Sequence, residues 1–221
     1  MRKDMQWKLS PSSLTLFEDC PRCFWLYIRE RHARPSIPVA KITEGMDRVM
    51  KAYFDSFRKN GTLPPELLGK VDARLVGDQT LMEQWRSFIG AEENDVLFRG
   101  KLDECLVDNE GRFIPFDFKT KGDVPRQDAF KYYVTQLESY GWLLEKNGYP
   151  PSQKAYLMYV YPKAVGDNMM VDFGSELQEV IIEPKRISDQ LKSASALLAS
   201  PIPQRHGACQ FCVWVERTHA L

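Results

Sequence analysis

Four of the five cysteines form two C-x-x-C pairs near opposite ends of the 221-residue chain. Cys20 and Cys23 make the first pair, Cys209 and Cys212 the second, and the 185 residues from position 24 to position 208 separate them. Because a tetrahedral site needs four ligands, the pairs predict that the N-terminal helices meet the C-terminal tail around one metal site. Thiolates serve both zinc and iron–sulfur clusters. Cys105, amid strand-like residues, is predicted to be a core residue.

Composition indicates an ordinary globular enzyme or binding protein, with 43% hydrophobic and 27% charged residues. The chain has no apolar run of about 18 residues for a membrane span, and its start lacks the apolar core of a signal peptide. We therefore expect a cytoplasmic protein without membrane association, in which a disulfide framework is not expected. Lys plus Arg and Asp plus Glu both total 30, which disfavours DNA binding by bulk charge but allows a locally basic groove.

Hydrophobic periodicity predicts a single α/β domain over residues 1–221, with a mixed central sheet flanked by helices. Residues 1–60 and 200–221 are expected to form the helical region around the cysteines, and residues 95–183 the catalytic core. Helices are predicted at 10–34, with a break at Pro21, and at 43–59, 127–147 and 187–199. Strands are predicted at 96–107, 113–118, 154–161 and 177–182.

A predicted hairpin carries two carboxylates and an ammonium. Asp103 lies on its first strand, and Asp117 and Lys119 lie two residues apart at the end of its second strand, on one face. Neighbouring carboxylates repel each other unless a cation lies between them, and hard oxygen ligands suit Mg²⁺ or Mn²⁺. A solvated hairpin rim is the ordinary explanation of D-x-K, but Asp117 lies in the apolar run FIPFDF, where an unpaired charge is expensive to bury.

The motifs Gly100-Lys101-Leu102-Asp103-Glu104 and Ile114-Pro115-Phe116-Asp117-Phe118-Lys119-Thr120-Lys121 resemble the core of the PD-(D/E)XK nuclease superfamily. They are most similar to its RecB-like branch, which includes CRISPR-adaptation exonucleases, and Gln136-Leu137-Glu138-Ser139-Tyr140 matches the Q-x-x-x-Y motif of that branch. The resemblance implies a Mg²⁺- or Mn²⁺-dependent deoxyribonuclease that acts in repair, recombination or mobile-element defence. Its implied metal ligands are Asp103, Asp117 and the Phe118 carbonyl, its water-activating residue is Lys119, and its supporting residues are Gln136 and Tyr140.

One expected residue is missing. RecB-like proteins usually carry a metal-binding His a few residues after a Gly on an early helix, whereas Gly45 is followed by Met-Asp-Arg-Val-Met. Asp47 or Glu44 is an alternative oxygen ligand, and Asp47 is preferred, although both also fit ordinary solvent-facing acids. The alternative function is a catalytically impaired DNA-binding or assembly subunit that keeps the fold.

The N-terminal segment also resembles the RecB-like pattern. Ser10, Ser12-Ser13-Leu14, Phe17 and Cys20-Pro21 follow its S-x-S-x-L-x-x-F-x-x-C-P motif, which implies a [4Fe–4S] cluster with Cys23 in place of the absent cysteine at Thr218. Zinc stays the alternative. Basic residues near the cysteines predict contact with DNA ends or single strands, with a helicase as a possible partner, or a solvated helix face. The candidates are Arg22, Arg29, Arg31 and, beyond the hairpin, Lys121.

Overall fold

The computed structural model describes residues 6–36 and 41–219, which fall into two compact units. One unit contains the described residues 6–36, 90–99 and 185–219, and the other contains residues 41–89 and 100–184. No helix in these described ranges is long and apolar enough to cross a membrane.

Seven α-helices and eight strands are found in the described residues, together with three short 3₁₀ segments. The helices are α1 Pro11–Asp19, α2 Pro21–Arg29, α3 Ile42–Asn60, α4 Gln79–Ser87, α5 Val134–Lys146, α6 Arg186–Ala199 and α7 Gln210–His219. The strands are β1 Trp7–Leu9, β2 Ala73–Leu75, β3 Ile89–Glu93, β4 Val96–Gly100, β5 Glu104–Asp108, β6 Phe113–Thr120, β7 Lys154–Val165 and β8 Val171–Ile181.

The first unit contains helices α1, α2, α6 and α7 and a small sheet of order β1-β4-β3. Ser10 caps α1 through a capping box with Ser13, since each residue's side chain accepts a hydrogen bond from the other's backbone N–H. Pro21 occupies the first turn of α2, where its missing N–H costs no hydrogen bond. Trp25 Nε1 donates to the Ser200 carbonyl at 3.0 Å, which fixes α2 beside the end of α6.

The second unit contains a five-stranded mixed sheet of order β2-β5-β6-β7-β8. β6 pairs antiparallel with β5 and parallel with β7, so it lies at the centre of the sheet. Phe116 and Phe118 leave one face of β6 and pack on Phe54 of α3, at ring-centroid distances of 5.4 and 4.9 Å. The side chains that alternate with them, Asp117 and Lys119, leave the opposite face toward α5.

The mixed α/β architecture confirms the predicted fold class, but the strand predicted over 96–107 is wrong in one respect. It is two strands: β4 pairs with β1 and β3, whereas β5 pairs with β2 and β6. Lys101–Asp103 form the break, although the hydrophobic alternation runs through it. The predicted helix at 127–147 begins later, because residues Ala129–Tyr133 form a 3₁₀ segment before α5.

Candidate active site and cysteine site

The β5–β6 register explains how the two hairpin carboxylates meet. Glu104 pairs with Phe116, so one further step along the antiparallel ladder places Asp103 opposite Asp117. Asp103 Oδ2 lies 3.4 Å from the backbone nitrogen of Phe118, a long contact that brings this carboxylate to the next peptide of β6. The structure therefore brings Asp103, Asp117 and the Phe118 backbone together.

A hydrogen-bond network from α5 covers this pair. Lys119 Nζ lies 2.6 Å from Asp117 Oδ2 and donates to Gln136 Oε1 at 2.9 Å. Gln136 Nε2 donates to Asp117 Oδ1 at 3.0 Å and to the Tyr140 hydroxyl at 2.7 Å. Because an ammonium can only donate, Lys119 fixes which end of the Gln136 amide faces it. Gln136 and Tyr140 lie one turn apart on α5, as the Q-x-x-x-Y spacing predicts.

Asp117 is buried, with 1% of its side chain exposed. Burial, with a smaller contribution from the nearby Asp103 carboxylate, raises the pKa of Asp117 to about 7 despite the lowering effect of Lys119. The buried Asp117 Oδ2 has the Lys119 ammonium as its contact, at 2.6 Å, and no other hydrogen-bond donor reaches it from the described residues. Such an oxygen has an unused lone pair, which fits a cation ligand.

Helix α3 approaches the same pair from another side. Lys51 Nζ lies 2.9 Å from Asp103 Oδ1 and 2.8 Å from Asp47 Oδ2, one turn earlier on α3. Asp47 and Asp103 therefore contact the same ammonium. Val49, four residues after Gly45 and therefore in the segment where the His is expected, is 59% exposed.

Gly100 allows α5 to approach the site. A Cβ atom at this position would lie 3.0 Å from Leu143 Cδ1 and 3.3 Å from Tyr140 Cε1, closer than ordinary contacts. Tyr140 is 5% exposed, and its burial, together with the Asp117 and Asp103 charges, holds its pKa well above the usual value. The hydroxyl therefore stays protonated and is available as a hydrogen-bond donor.

A second charged layer supports the backbone behind Asp103. Glu104 is fully buried and pairs with Arg58 and, at 3.0 Å, with Arg86. Arg86 also donates from Nε to the Asp103 carbonyl at 3.0 Å and pairs with Asp55 at 2.8 Å. These two arginines neutralise Glu104 and hold the start of β5.

The site residues fit a divalent metal. Three carboxylates (Asp47, Asp103 and Asp117) face two ammonium groups (Lys51 and Lys119). One negative charge is therefore uncompensated when all five groups are ionised, and the oxygen donors are of the hard type that Mg²⁺ and Mn²⁺ prefer. Asp103, Asp117, Asp47 and the Phe118 carbonyl are the groups available to hold such an ion.

The two cysteine pairs meet in the first unit, as predicted. Their four sulfur atoms lie within 4.8 Å of one another. Cys23 Sγ is 3.7 Å from Cys209 Sγ and 3.5 Å from Cys212 Sγ, and Cys20 Sγ is 3.9 Å from Cys212 Sγ. Arg34 Nη2 donates to Cys209 Sγ at 3.5 Å, which places a positive charge beside the cysteine sulfurs. Cys105 is fully buried in β5. It belongs to the second unit, whereas the four clustered cysteines belong to the first.

The residues predicted to bind nucleic acid lie in different environments. Arg29 donates to the carbonyls of Leu198 and Ser200 at 2.8 and 3.1 Å, so it helps to pack α2 against α6. Arg31 is exposed and Arg22 half-buried. Lys121 donates to the Tyr133 hydroxyl at 2.9 Å, and Lys119 lies 4.6 Å from the centroid of the same ring.

Sequence reasoning missed several residues around the acids: Lys51, Tyr133, Glu104 and the two arginines that neutralise it, Arg58 and Arg86. The only local signal was the i, i+4 spacing of Asp47 and Lys51, which is common on solvated helices. For Arg58 and Glu104, which are 46 positions apart, the sequence offers no local signal.

Comparison with known proteins identifies the class. The family model of the PD-(D/E)XK nuclease superfamily matches residues 42–217, a range that contains every hairpin and α5 residue described above. The chain belongs to this superfamily. No curated protein matches it. The crystal structure of SSO0001 is similar, with 12% sequence identity and a TM-score of 0.41 over 97% of this chain and 87% of that chain.

Proposed function

We propose that the protein is a DNA nuclease that hydrolyses phosphodiester bonds with Mg²⁺ or Mn²⁺. The observation that carries the proposal is the pairing of Asp117 with Asp103 and Lys119, because Asp117 is buried beside a second carboxylate and its Oδ2 contacts the Lys119 ammonium. A buried, partly unsatisfied carboxylate destabilises a fold unless function requires it.

Asp103 and Asp117 would hold the metal, with Asp47 and the Phe118 carbonyl as further donors. When bound, the metal supplies Lewis-acid charge beside the scissile phosphate. Lys119, which is oriented by Gln136 and Asp117, positions the attacking water. Gln136 fixes the Lys119 ammonium through Oε1, and Tyr140 fixes Gln136 in turn. These residues lie on a strand and a helix, so their geometry is set before substrate binds.

The substrate we propose is DNA with an end, a flap or a single-stranded region, processed in repair, recombination or mobile-element defence. Support comes from the order of the G-x-x-D, D-x-K-T and Q-x-x-x-Y motifs, which is that of RecB-like nucleases. Arg22, Arg31 and Lys121 are the cations proposed to contact the phosphate backbone. A helicase or another DNA-processing protein would be a natural partner for such an activity.

The substrate panel that tests this proposal contains end-labelled single strands, blunt and flapped duplexes, and covalently closed circles. We expect Mn²⁺-dependent cleavage that EDTA stops and that Asp117→Asn abolishes. Loss of label from linear substrates with intact circles would identify an exonuclease, and cut circles an endonuclease. If folded, Mn²⁺-saturated protein leaves every substrate intact, the nuclease proposal is wrong.

Two observations favour the alternative of a catalytically impaired DNA-binding or assembly subunit. Val49 stands where a metal-binding His is expected, and the nearby Lys51 ammonium contacts two of the acids. That alternative predicts DNA binding without cleavage, and binding that Asp117→Asn leaves unchanged. The same substrate panel separates the two when it is measured both by gel shift in EDTA and by cleavage in Mn²⁺: the subunit would shift the DNA and leave every substrate intact.

We further propose that the four cysteines hold one zinc ion rather than a [4Fe–4S] cluster. Zinc–thiolate bonds of about 2.3 Å separate the sulfur atoms of a tetrahedral site by about 3.8 Å. Three pairs of cysteine sulfurs are separated by 3.5, 3.7 and 3.9 Å, and all four sulfurs lie within 4.8 Å of one another. A cubane cluster binds each thiolate to a different iron atom and needs wider separations. Zinc would tie the start of α2 to the start of α7 and would take no part in cleavage.

Elemental analysis of anaerobically purified protein distinguishes the two cofactors. One zinc per chain, with no absorbance near 400 nm, is the expected result. About four irons per chain with matching sulfide would establish the cluster instead. Cys105→Ser is the matched control, because this thiol lies outside the four-cysteine group and its loss should not change metal content.

A further inference from the structure

Lys51 contacts two of the three carboxylates proposed to hold the catalytic metal. Its Nζ lies 2.9 Å from Asp103 Oδ1 and 2.8 Å from Asp47 Oδ2, and 22% of its side chain is exposed. The Asp47 contact is an ordinary helical i, i+4 pair, but the Asp103 contact joins α3 to the residue before β5. The lysine therefore bridges two elements through acids that belong to the site.

The two ammonium groups of the site differ in what they contact. Lys119 is held by Asp117, by Gln136 and by the Tyr133 ring, so it has three partners that keep it in place. Lys51 contacts two carboxylates, and both are available to a metal. An ion that binds Asp103 Oδ1 and Asp47 Oδ2 occupies the space where this ammonium now lies.

We propose that Lys51 is a tethered cation that competes with the divalent metal for Asp103 and Asp47 and thereby sets the metal affinity of the site. The inference rests on the proposed function, since it concerns the same acids. Without metal, Lys51 compensates the charge of the acid pair. When the metal binds, Asp103 and Asp47 coordinate it and their ion pairs with Lys51 are lost. The released ammonium then lies beside the site, where the phosphates of a bound DNA strand attract it.

The consequence is that removing the Lys51 charge tightens metal binding. Each partly exposed ion pair contributes up to about a factor of five, so the loss of two competing pairs should lower the Kd for Mn²⁺ on the order of 10-fold. A residue that positions the acids for the metal would have the opposite effect, because its loss would weaken binding.

The test measures Mn²⁺ binding by EPR in the absence of DNA, so that it does not depend on cleavage. Lys51→Met and the more polar Lys51→Gln are compared with the wild type, and Lys101→Met is the matched control. Lys101 is exposed and only two residues from Asp103 in the chain, and its replacement changes the net charge by the same amount. Asp117→Asn defines the signal that belongs to this site.

We expect both Lys51 variants to bind Mn²⁺ about 10-fold more tightly, while Lys101→Met changes the Kd by less than about threefold. Unchanged or weaker Mn²⁺ binding in the Lys51 variants overturns the proposal. An equal effect of Lys101→Met also overturns it, because it would show that Mn²⁺ binding responds to the net charge of the protein and not to Lys51 itself. If one Lys51 variant fails to fold, the other decides. Failure of the proposed nuclease is a separate result: it appears as Mn²⁺ binding that depends on Asp117 without cleavage of any DNA.

Discussion

Replacement of Arg58 by methionine should destabilise the protein strongly, because it leaves Glu104 without its principal partner. Arg58 and Glu104 have side-chain exposures of 1% and 0%, and Arg86, at 12%, is the other cation that contacts Glu104. Breaking a buried ion pair by removing one partner costs about 3–5 kcal/mol, since the remaining charge stays buried. Arg58 also donates to the Val76 carbonyl at 2.6 Å, and this acceptor would lose its partner as well.

The assay is urea denaturation followed by tryptophan fluorescence, with the thermal midpoint as a second measure. At about 2–4 °C per kcal/mol for a chain of this size, the expected fall in Tm is about 6–20 °C. Burial already raises the pKa of Glu104, and the Arg58 charge is the largest influence that lowers it. The pKa of Glu104 should therefore rise further in the variant. A carboxyl whose pKa is raised in the folded state lowers the free energy of unfolding as pH rises, because the folded protein must then ionise a buried group. Arg58→Met should thus lose more stability at pH 8 than at pH 5.5.

The matched control is the double variant Arg58→Met with Glu104→Gln. It removes the stranded charge, so much of the lost free energy of unfolding should return, and the pH dependence should disappear. A loss below about 1 kcal/mol for Arg58→Met, or a double variant whose loss equals the sum of the two single losses, would refute the reasoning. Either result would mean that Glu104 is solvated or protonated in the native state.

Three further outcomes follow from the same structure. Asp117→Asn should stabilise the metal-free protein at pH 8 but much less at pH 5. The folded-state pKa of Asp117 is raised to about 7, so ionisation of this carboxyl lowers the free energy of unfolding of the wild type as pH rises toward 7. The full effect is up to about 4 kcal/mol. Denaturation curves at both pH values test this, and equal effects would contradict it. Gly141→Ala should cost about 1–3 kcal/mol, because its Cβ would lie 2.7 Å from Pro184 Cγ, whereas Gly122→Ala, whose Cβ meets nothing within 4 Å, should cost little. Cys209→Ser should release the metal proposed for the four cysteines and expose the segment around α7 to protease, whereas Cys105→Ser should not. Equal protection of the two variants would argue against a metal that holds this segment in place.

The parts of the fold and site that could be predicted are those that depend on residue spacing within a single helix or hairpin, or on the number of metal ligands. The β5–β6 hairpin follows from alternation around the turn at Asp108, and the pairing of Gln136 with Tyr140 follows from helical spacing. The meeting of the two cysteine pairs follows from ligand number alone. All three depend on short-range geometry or on simple chemical counting.

The remaining features depend on long-range pairing that no local pattern encodes. Alternation runs unbroken through Lys101–Asp103, yet β4 and β5 bind different partner strands, and this is decided by the rest of the sheet. Lys51 reaches Asp103 across 52 positions in the chain, so its spacing from Asp47 suggested only a surface pair. The short strand β2 has three residues, too few for a periodic signal.

The central claim is that Asp103, Asp117 and Lys119 form a working hydrolytic site. Its most direct test is the single-turnover rate of Mn²⁺-dependent DNA cleavage by the wild type and by Lys119→Met, with Lys131→Met, an exposed lysine near α5, as the control. We expect Lys131→Met to cleave at the wild-type rate and Lys119→Met to lose on the order of 10²-fold or more, with its Mn²⁺ binding retained. Cleavage by Lys119→Met within a few-fold of the wild-type rate would show that the activity does not come from this site.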